Sequence, residues 1–194
     1  MNDTVLTPTK ILDTAEDVLR RFGPTKTTVV DVARALGVSH GSVYRHFASK
    51  AELRNAVAER WLLRVSDPLE EFATAKGPAL DRLHRWFHAL MTSKRQKVGA
   101  DPEMFATYSA LASESGDVIA EHIAHLQGQI ARILQDGIDA REIAPMDAGA
   151  TAQAIFRATS FYHHPMHATA WSDPGIDRSF EALWRLLVKG LMPR

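Results

Sequence analysis

Residues 32–47 read VARALGVSHGSVYRHF, and the break inside this stretch decides how the chain folds. Val32, Ala33 and Leu36 recur at helical spacing. Gly37 stops the recurrence, because glycine enters a left-handed helix end without the steric penalty of a Cβ. Ser39 restarts it as a cap whose hydroxyl can accept a backbone N–H of the next turn. The second helix is short, running to about Phe47. Two helices joined by a tight turn containing glycine form the helix-turn-helix signature. Ala33 is small enough to let the pair cross closely. Val38, Val43 and Phe47 fall on the side that anchors the second helix from beneath. That leaves His40, Gly41, Ser42, Tyr44, Arg45 and His46 on its outer and leading surface.

On either side of this stretch the chain reads as helical throughout, since alternation of period two never lasts. Ile11, Ala15, Val18, Leu19 and Phe22 form one stripe over 9–22, stopped by Gly23-Pro24. Thr28 opens a helix with Asp31 placed as its capping-box partner, and Val29, Val32, Ala33 and Leu36 face inward. Ser49 and Glu52 open another, through about Val65. Beyond Pro68, "EFATAKGP" reads as a loop. Helices are then expected at about 78–97, 102–113, 116–139, 147–164 and 176–191. The expectation is an all-α protein of about nine helices. A helix-turn-helix domain fills 1–50, a linking helix spans about 50–65, and a larger helical domain fills 66–194.

The 194 residues suffice for a proper core, and the formal net charge is +0. The distribution is more telling than the total. Between residues 25 and 50, Lys26, Arg34, Arg45 and Lys50 stand against Asp31 alone. Cysteine is absent, which removes disulfide and thiol chemistry. The opening MNDTVLTPTK lacks the basic start and apolar run of a signal peptide, and no run is long enough to span a membrane, so a cytoplasmic protein is expected. There is no H-E-x-x-H, no glycine-rich phosphate loop and no serine nucleophile motif, so neither an enzyme nor a cofactor is expected.

The polar surface of the short helix suits a specific partner. A helix fits the major groove of B-DNA, and residues at its N-terminal end can reach base edges there. Gly41 lets the backbone approach the duplex closely. Arg45 can bind guanine or a phosphate; Tyr44 and Ser42 can donate to phosphates. Thr27, Thr28 and Lys50 sit near helix starts, where backbone N–H groups favour anions. On spacing alone, a plain solvated face remains open.

The stretch TTVVDVARALGVSHGSVYRHFASKAEL, Thr27 to Leu53, resembles the DNA-binding segment of the TetR family of bacterial transcriptional repressors. The family pattern is met by Thr27/Thr28, Val32-Ala33, Gly37-Val38-Ser39, Gly41-Ser42, Tyr44, His46-Phe47, Lys50 and Leu53, with Phe22-Gly23 ahead. Val32 stands where isoleucine is usual, and Ser42 replaces threonine. The likeness covers about residues 8–60. It implies a homodimeric repressor that binds a palindromic double-stranded DNA operator and releases it when a small-molecule effector enters the C-terminal domain. By the same resemblance Tyr44 and Lys50 position phosphates, while His40, Ser42 and Arg45 specify bases. Ser39 and His46 complete the expected DNA-binding set.

The last helix carries Phe180, Leu183, Trp184, Leu187 and Leu191 on one wide apolar face. The preceding one offers small residues, Ala148, Ala150, Ala152 and Ala154. In the family the last two helices pair with their symmetry mates, so this face is the expected dimer interface; simple core filling is the competing reading. A twofold pair with recognition helices about 34–36 Å apart would meet successive major grooves. Trp86, Phe87, Met104, Phe105, Tyr108, Phe161 and His163 are the candidate effector contacts, with Met91 and Tyr162 beside them. The effector expected is hydrophobic or aromatic. Nine histidines include FYHHPMH at 161–167. His84 and His88 have chelating spacing, which His163, His164 and His167 would extend. Hydrogen-bonding histidines without a metal are the simpler expectation, and His122 and His125 are expected in solvent. A metal-responsive sensor and a DNA-binding regulator without a small-molecule gate are the alternatives.

Overall fold

The computed structural model describes residues 6–193, so the first half of the MNDTVLTPTK stretch lies outside it. Among the described residues there are ten α-helices and no strand. The chain divides into two compact units. One holds the residues up to Leu62 together with Glu103–Ile119; the other holds Leu63–Pro102 and the chain from Ala120 onward.

In the first unit, α1 (Pro8–Lys26) is capped by Thr7, whose hydroxyl accepts Lys10 N–H, and Pro8 fills the first turn, where its missing N–H costs nothing. Ile11, Ala15, Val18 and Leu19 are buried. Gly23, at φ +74°, interrupts the helix and is followed by one further turn. Phe22 departs from the expected stripe: the stripe turns away there, and the ring is exposed. Helices α2 (Val29–Leu36), α3 (His40–Tyr44) and α4 (Lys50–Ser66) follow. Arg60 of α4 pairs with Asp13 and Glu16 of α1.

Helix α7 (Pro102–Glu114) packs in this same unit, a placement the expected division near residues 50–65 lacks. The reason is aromatic. Trp61 of α4 stacks on Tyr108 at 5.1 Å between ring centroids and meets Phe105 edge-on at 5.9 Å. Ser115 donates to Asn55 at 2.7 Å, and Arg54 pairs with Glu114.

The second unit contains α5 (Glu70–Thr74), α6 (Ala79–Ala100), most of α8 (Gly116–Asp139), α9 (Ala148–Ala158) and α10 (Ile176–Leu191). Part of the EFATAKGP segment is therefore helix. Buried Arg82 explains it, donating to the carbonyls of Phe72 and Ala73 at 3.1 and 2.6 Å and to Asp136 at 2.9 Å. These carbonyls at the helix end would otherwise lack partners. Helix α9 stops at Ala158, short of the expected 164. The Thr159 hydroxyl donates back to Ile155 O, and Pro165 disfavours helix just ahead of it, leaving 3₁₀ turns at Ser160–Tyr162 and Pro165–Ser172. Leu83, Trp86, Phe87, Leu90, Leu126, Ile130, Ile133 and Phe180 fill the core. Within it Trp86 Nε1 donates to Gln129 Oε1 at 2.8 Å, and Gln129 Nε2 donates to Ser66 O at 3.1 Å.

Candidate nucleic-acid interface

Each helix end around α3 is fixed locally. Thr27 is buried, and its hydroxyl donates to Gly23 O at 2.8 Å. Thr28 closes a complete capping box with Asp31, whose N–H donates to Thr28 Oγ1 at 3.2 Å while Thr28 N–H donates to Asp31 Oδ2 at 3.1 Å. Thr28's hydroxyl bond holds the Asp31 carboxyl below the usual carboxylate range. Both threonine side chains are thus occupied in shaping the start of α2. Gly37 ends α2 at φ +69°, with its own N–H and that of Val38 donating to Arg34 O and Ala33 O. Cβ-bearing residues are strained there.

Ser39 then caps α3, accepting Ser42 N–H at 3.2 Å. Its Oγ lies 3.0 Å from Ser42 Oγ, which accepts from the Arg45 guanidinium at 3.2 Å. This chain of hydroxyls holds the arginine along the outer face. Val43 and Phe47 are buried beneath, and Ser39, His40, Gly41, Tyr44, Arg45 and His46 are exposed, with Ser42 partly so. Tyr44 is 41% exposed, its ring edge-on to His40. A Cβ at Gly41 would meet only Ser39 Oγ at 3.8 Å, and its backbone is not left-handed. Nothing inside the protein asks for glycine at that position. Lys50 is exposed in the first turn of α4, where Ser49 accepts Glu52 N–H at 3.0 Å and Glu52 accepts Ala48 N–H at 2.6 Å. Neither Arg45 nor Lys50 has an acidic partner among the described residues. An exposed short helix, two cations without an acidic partner among the described residues and adjacent helix starts form a surface that can meet phosphates and base edges together.

The model of the bacterial regulatory proteins of the tetR family matches residues 11–57, and that of the tetracyclin repressor-like C-terminal domain matches residues 79–184. The chain belongs to the TetR family. The HTH-type transcriptional regulator TtgR of Pseudomonas putida is 38% identical over 53 residues, 27% of this chain and 25% of that one, so the chain spans about a quarter of this relative's length. The fatty acid metabolism regulator protein of Bacillus subtilis is 23% identical over 152 residues, 76% of each chain. Among solved structures, SmeT, the repressor of the Stenotrophomonas maltophilia multidrug efflux pump SmeDEF, superposes with a TM-score of 0.69 at 21% identity, covering 99% of this chain and 93% of SmeT.

In this TetR-family chain the expected effector contacts do not share one unit. Trp86, Phe87 and His163 are buried in the second unit, and Met91 and Tyr162 lie there too. Met104, Phe105 and Tyr108 sit on α7 in the first unit. Phe161 is 42% exposed, its carbonyl accepting Trp171 Nε1 at 3.0 Å. On α10, Phe180, Trp184 and Leu191 are closed off in the core of their own unit, with Leu183 and Leu187 partly buried against it. The expectation that this whole face meets a partner therefore needs correcting: helical phase turns most of it inward. The large apolar side chain that α10 leaves in solvent is Leu186, 66% exposed.

His122 also departs from expectation. It is buried, and its Nε2 has no hydrogen-bond partner. Burial, reinforced by the Lys94 charge, pushes His122 and His163 down to about 3. Burial lowers Lys94 itself to about 8, and its Nζ donates to His163 O at 2.9 Å. His163 Nε2 also contacts the Thr159 hydroxyl at 3.2 Å. Sequence reasoning passed over Lys94 although the signal was present: it continues the inward spacing of Leu83, Phe87 and Leu90. His122 likewise shares a face with Leu126, Gln129 and Ile133. The histidine grouping is corrected as well. Among the described residues His84 and His88 converge with Glu181, and His163, His164 and His167 do not join them.

Proposed function

We propose that this TetR-family chain is a cytoplasmic, ligand-responsive transcriptional repressor that binds a palindromic operator as a homodimer and is released by a small hydrophobic or aromatic molecule. The observation that carries the DNA reading is the outward face of α3. Its polar groups are ordered and exposed over the buried anchors Val43 and Phe47, and its Gly41 has no internal reason to be glycine. Tyr44 and Lys50 position phosphates, with Thr27, Thr28 and Ser39 beside them; His40, Ser42 and Arg45 read bases, and His46 flanks them.

The effector reading draws on the aromatic interior of the second unit around Trp86, Phe87 and His163. The buried His122 Nε2 supports it, because a polar atom without a partner there is one that a ligand can satisfy. The names of similar proteins point the same way: one is a fatty acid metabolism regulator, and another represses a multidrug efflux pump. Release requires that the effector favour the arrangement incompetent for DNA, since equal affinity for both arrangements shifts nothing.

The test is a fluorescence-anisotropy titration with genomic duplexes, including the stretch upstream of its own coding region, against scrambled duplexes. Preference for one duplex, lost on adding an apolar aromatic or acyl compound that raises the melting temperature, supports the proposal. Equal binding to all duplexes refutes the DNA reading. Operator binding that no compound alters refutes the gate. Sedimentation as a monomer refutes the dimer.

A further inference from the structure

Three side chains of the second unit converge without any part in the reading above. His84 and His88 stand one turn apart on α6, and Glu181 reaches them from α10. Both imidazole Nε2 atoms approach the same carboxylate oxygen, at 2.8 Å for His84 and 2.9 Å for His88. The three donor atoms all lie within 4.8 Å of one another, and the imidazole rings are 4.5 Å apart between centroids. All three side chains are partly exposed, so a hydrated ion can reach them.

The surroundings hold these donors in place. The His84 ring packs 5.1 Å from the ring of Trp184 and 6.1 Å from that of Phe180, while His88 meets Phe180 edge-on at 5.3 Å. Arg95 of α6 and Asp177 of α10 form an ion pair at 2.6 Å, tying the same two helices together beside the cluster. An apolar surround controls solvent access at protein metal sites, and the ion pair fixes the spacing of the two helices that carry the donors.

We propose that His84, His88 and Glu181 bind a divalent transition-metal ion of the zinc, cobalt or nickel class, with water completing its shell. Two neutral imidazole nitrogens and one carboxylate oxygen, with no thiolate in the chain, suit these ions better than soft Cu(I) or hard Mg²⁺ and Ca²⁺. The geometry needs little adjustment. Tetrahedral ligands at metal distances of about 2.0–2.2 Å sit roughly 3.3 Å apart, so each nitrogen retreats about half an ångström from the carboxylate. The two imidazole nitrogens, which with the carboxylate oxygen lie within 4.8 Å of one another, come to the same separation. The ion would take the place of the two N–H protons now directed at Glu181, which move to Nδ1 of the same rings so that each imidazole stays neutral, and it would cross-link α6 to α10. This site stands independently of how the chain recognises DNA or an organic effector.

The experiment uses the full chain without an affinity tag. Cobalt(II) is titrated while visible absorption is followed, and zinc(II) is then added in competition. The expected result is one cobalt per chain with a low-coordinate ligand-field spectrum, displaced by zinc. Losing even an outer partner of a metal ligand costs roughly 10- to 100-fold in affinity. Glu181→Gln, His84→Gln and His88→Gln should each weaken binding at least that much, whereas His164→Gln and His167→Gln should leave it unchanged. Circular dichroism of each variant checks the fold, and the three separate ligand variants keep the comparison valid should one unfold. Absence of a cobalt spectrum at saturating metal overturns the site. So does wild-type affinity in the Glu181→Gln variant, or loss confined to the His164 and His167 variants.

Discussion

Replacing Gly41 with alanine should move protein stability and DNA affinity in opposite directions. The added methyl group meets only Ser39 Oγ at 3.8 Å, an ordinary contact, and the backbone there is right-handed. Inside the protein the substitution should therefore act through helix propensity alone, favouring the fold by about 0.5–1 kcal/mol. For a chain of this size, about 1 kcal/mol raises the melting temperature by roughly 2–4 °C. On the DNA side the same methyl group occupies the face at which the backbone is expected to approach the duplex. Forcing one extra carbon into a close-packed interface costs about 1–3 kcal/mol. At about 1.4 kcal/mol per tenfold, operator affinity should fall roughly 5- to 150-fold. Differential scanning calorimetry of the free protein and anisotropy titration with labelled operator at fixed salt read the two effects separately. Equal operator affinity for Gly41→Ala and the native protein refutes the close approach. A lower melting temperature shows instead that the fold itself requires glycine there.

Tyr44→Ala should abolish operator retardation in a gel while leaving the sedimenting species unchanged, because the ring is exposed on the outer face of α3, edge-on to the exposed His40; retained retardation refutes its role at phosphate. Gly137→Ala should destabilise the second unit by about 1–3 kcal/mol, since its Cβ would come within 2.6 Å of Ile143 Cδ1 and 2.7 Å of Ala79 Cβ, and an unchanged urea midpoint would contradict that packing. Acidification should weaken the fold. His122 and His163 are held near 3 in the folded chain, so below the unfolded value of about 6.5 the unfolded state takes up protons that the folded state refuses. Stability is thus fully present above about pH 6.5 and falls as pH drops toward 3, by roughly 2 kcal/mol per histidine between pH 7 and pH 5. Urea unfolding followed by tryptophan fluorescence measures it, and equal midpoints at pH 7 and pH 5 would refute the burial of both imidazoles.

Features that depend on a few neighbouring residues were legible in the amino-acid order. The Thr28–Asp31 box, the left-handed Gly37 and the Ser39 cap are decided within one turn of backbone, so the helix-turn-helix and the residues α3 turns outward were readable in order. Tertiary structure decided what each apolar face would meet. Periodicity shows that the last helix has an apolar side; whether that side closes over its own core or waits for a partner depends on the helices opposite, and for Phe180, Trp184 and Leu191 it closes inward. The same holds for α7, drawn into the first unit by Trp61, and for Glu181, which stands 93 residues beyond His88 in the chain yet bonds it directly. Backbone hydrogen bonding is local and leaves its mark in short motifs. Burial and side-chain convergence are set by distant elements, and no short stretch of sequence encodes them.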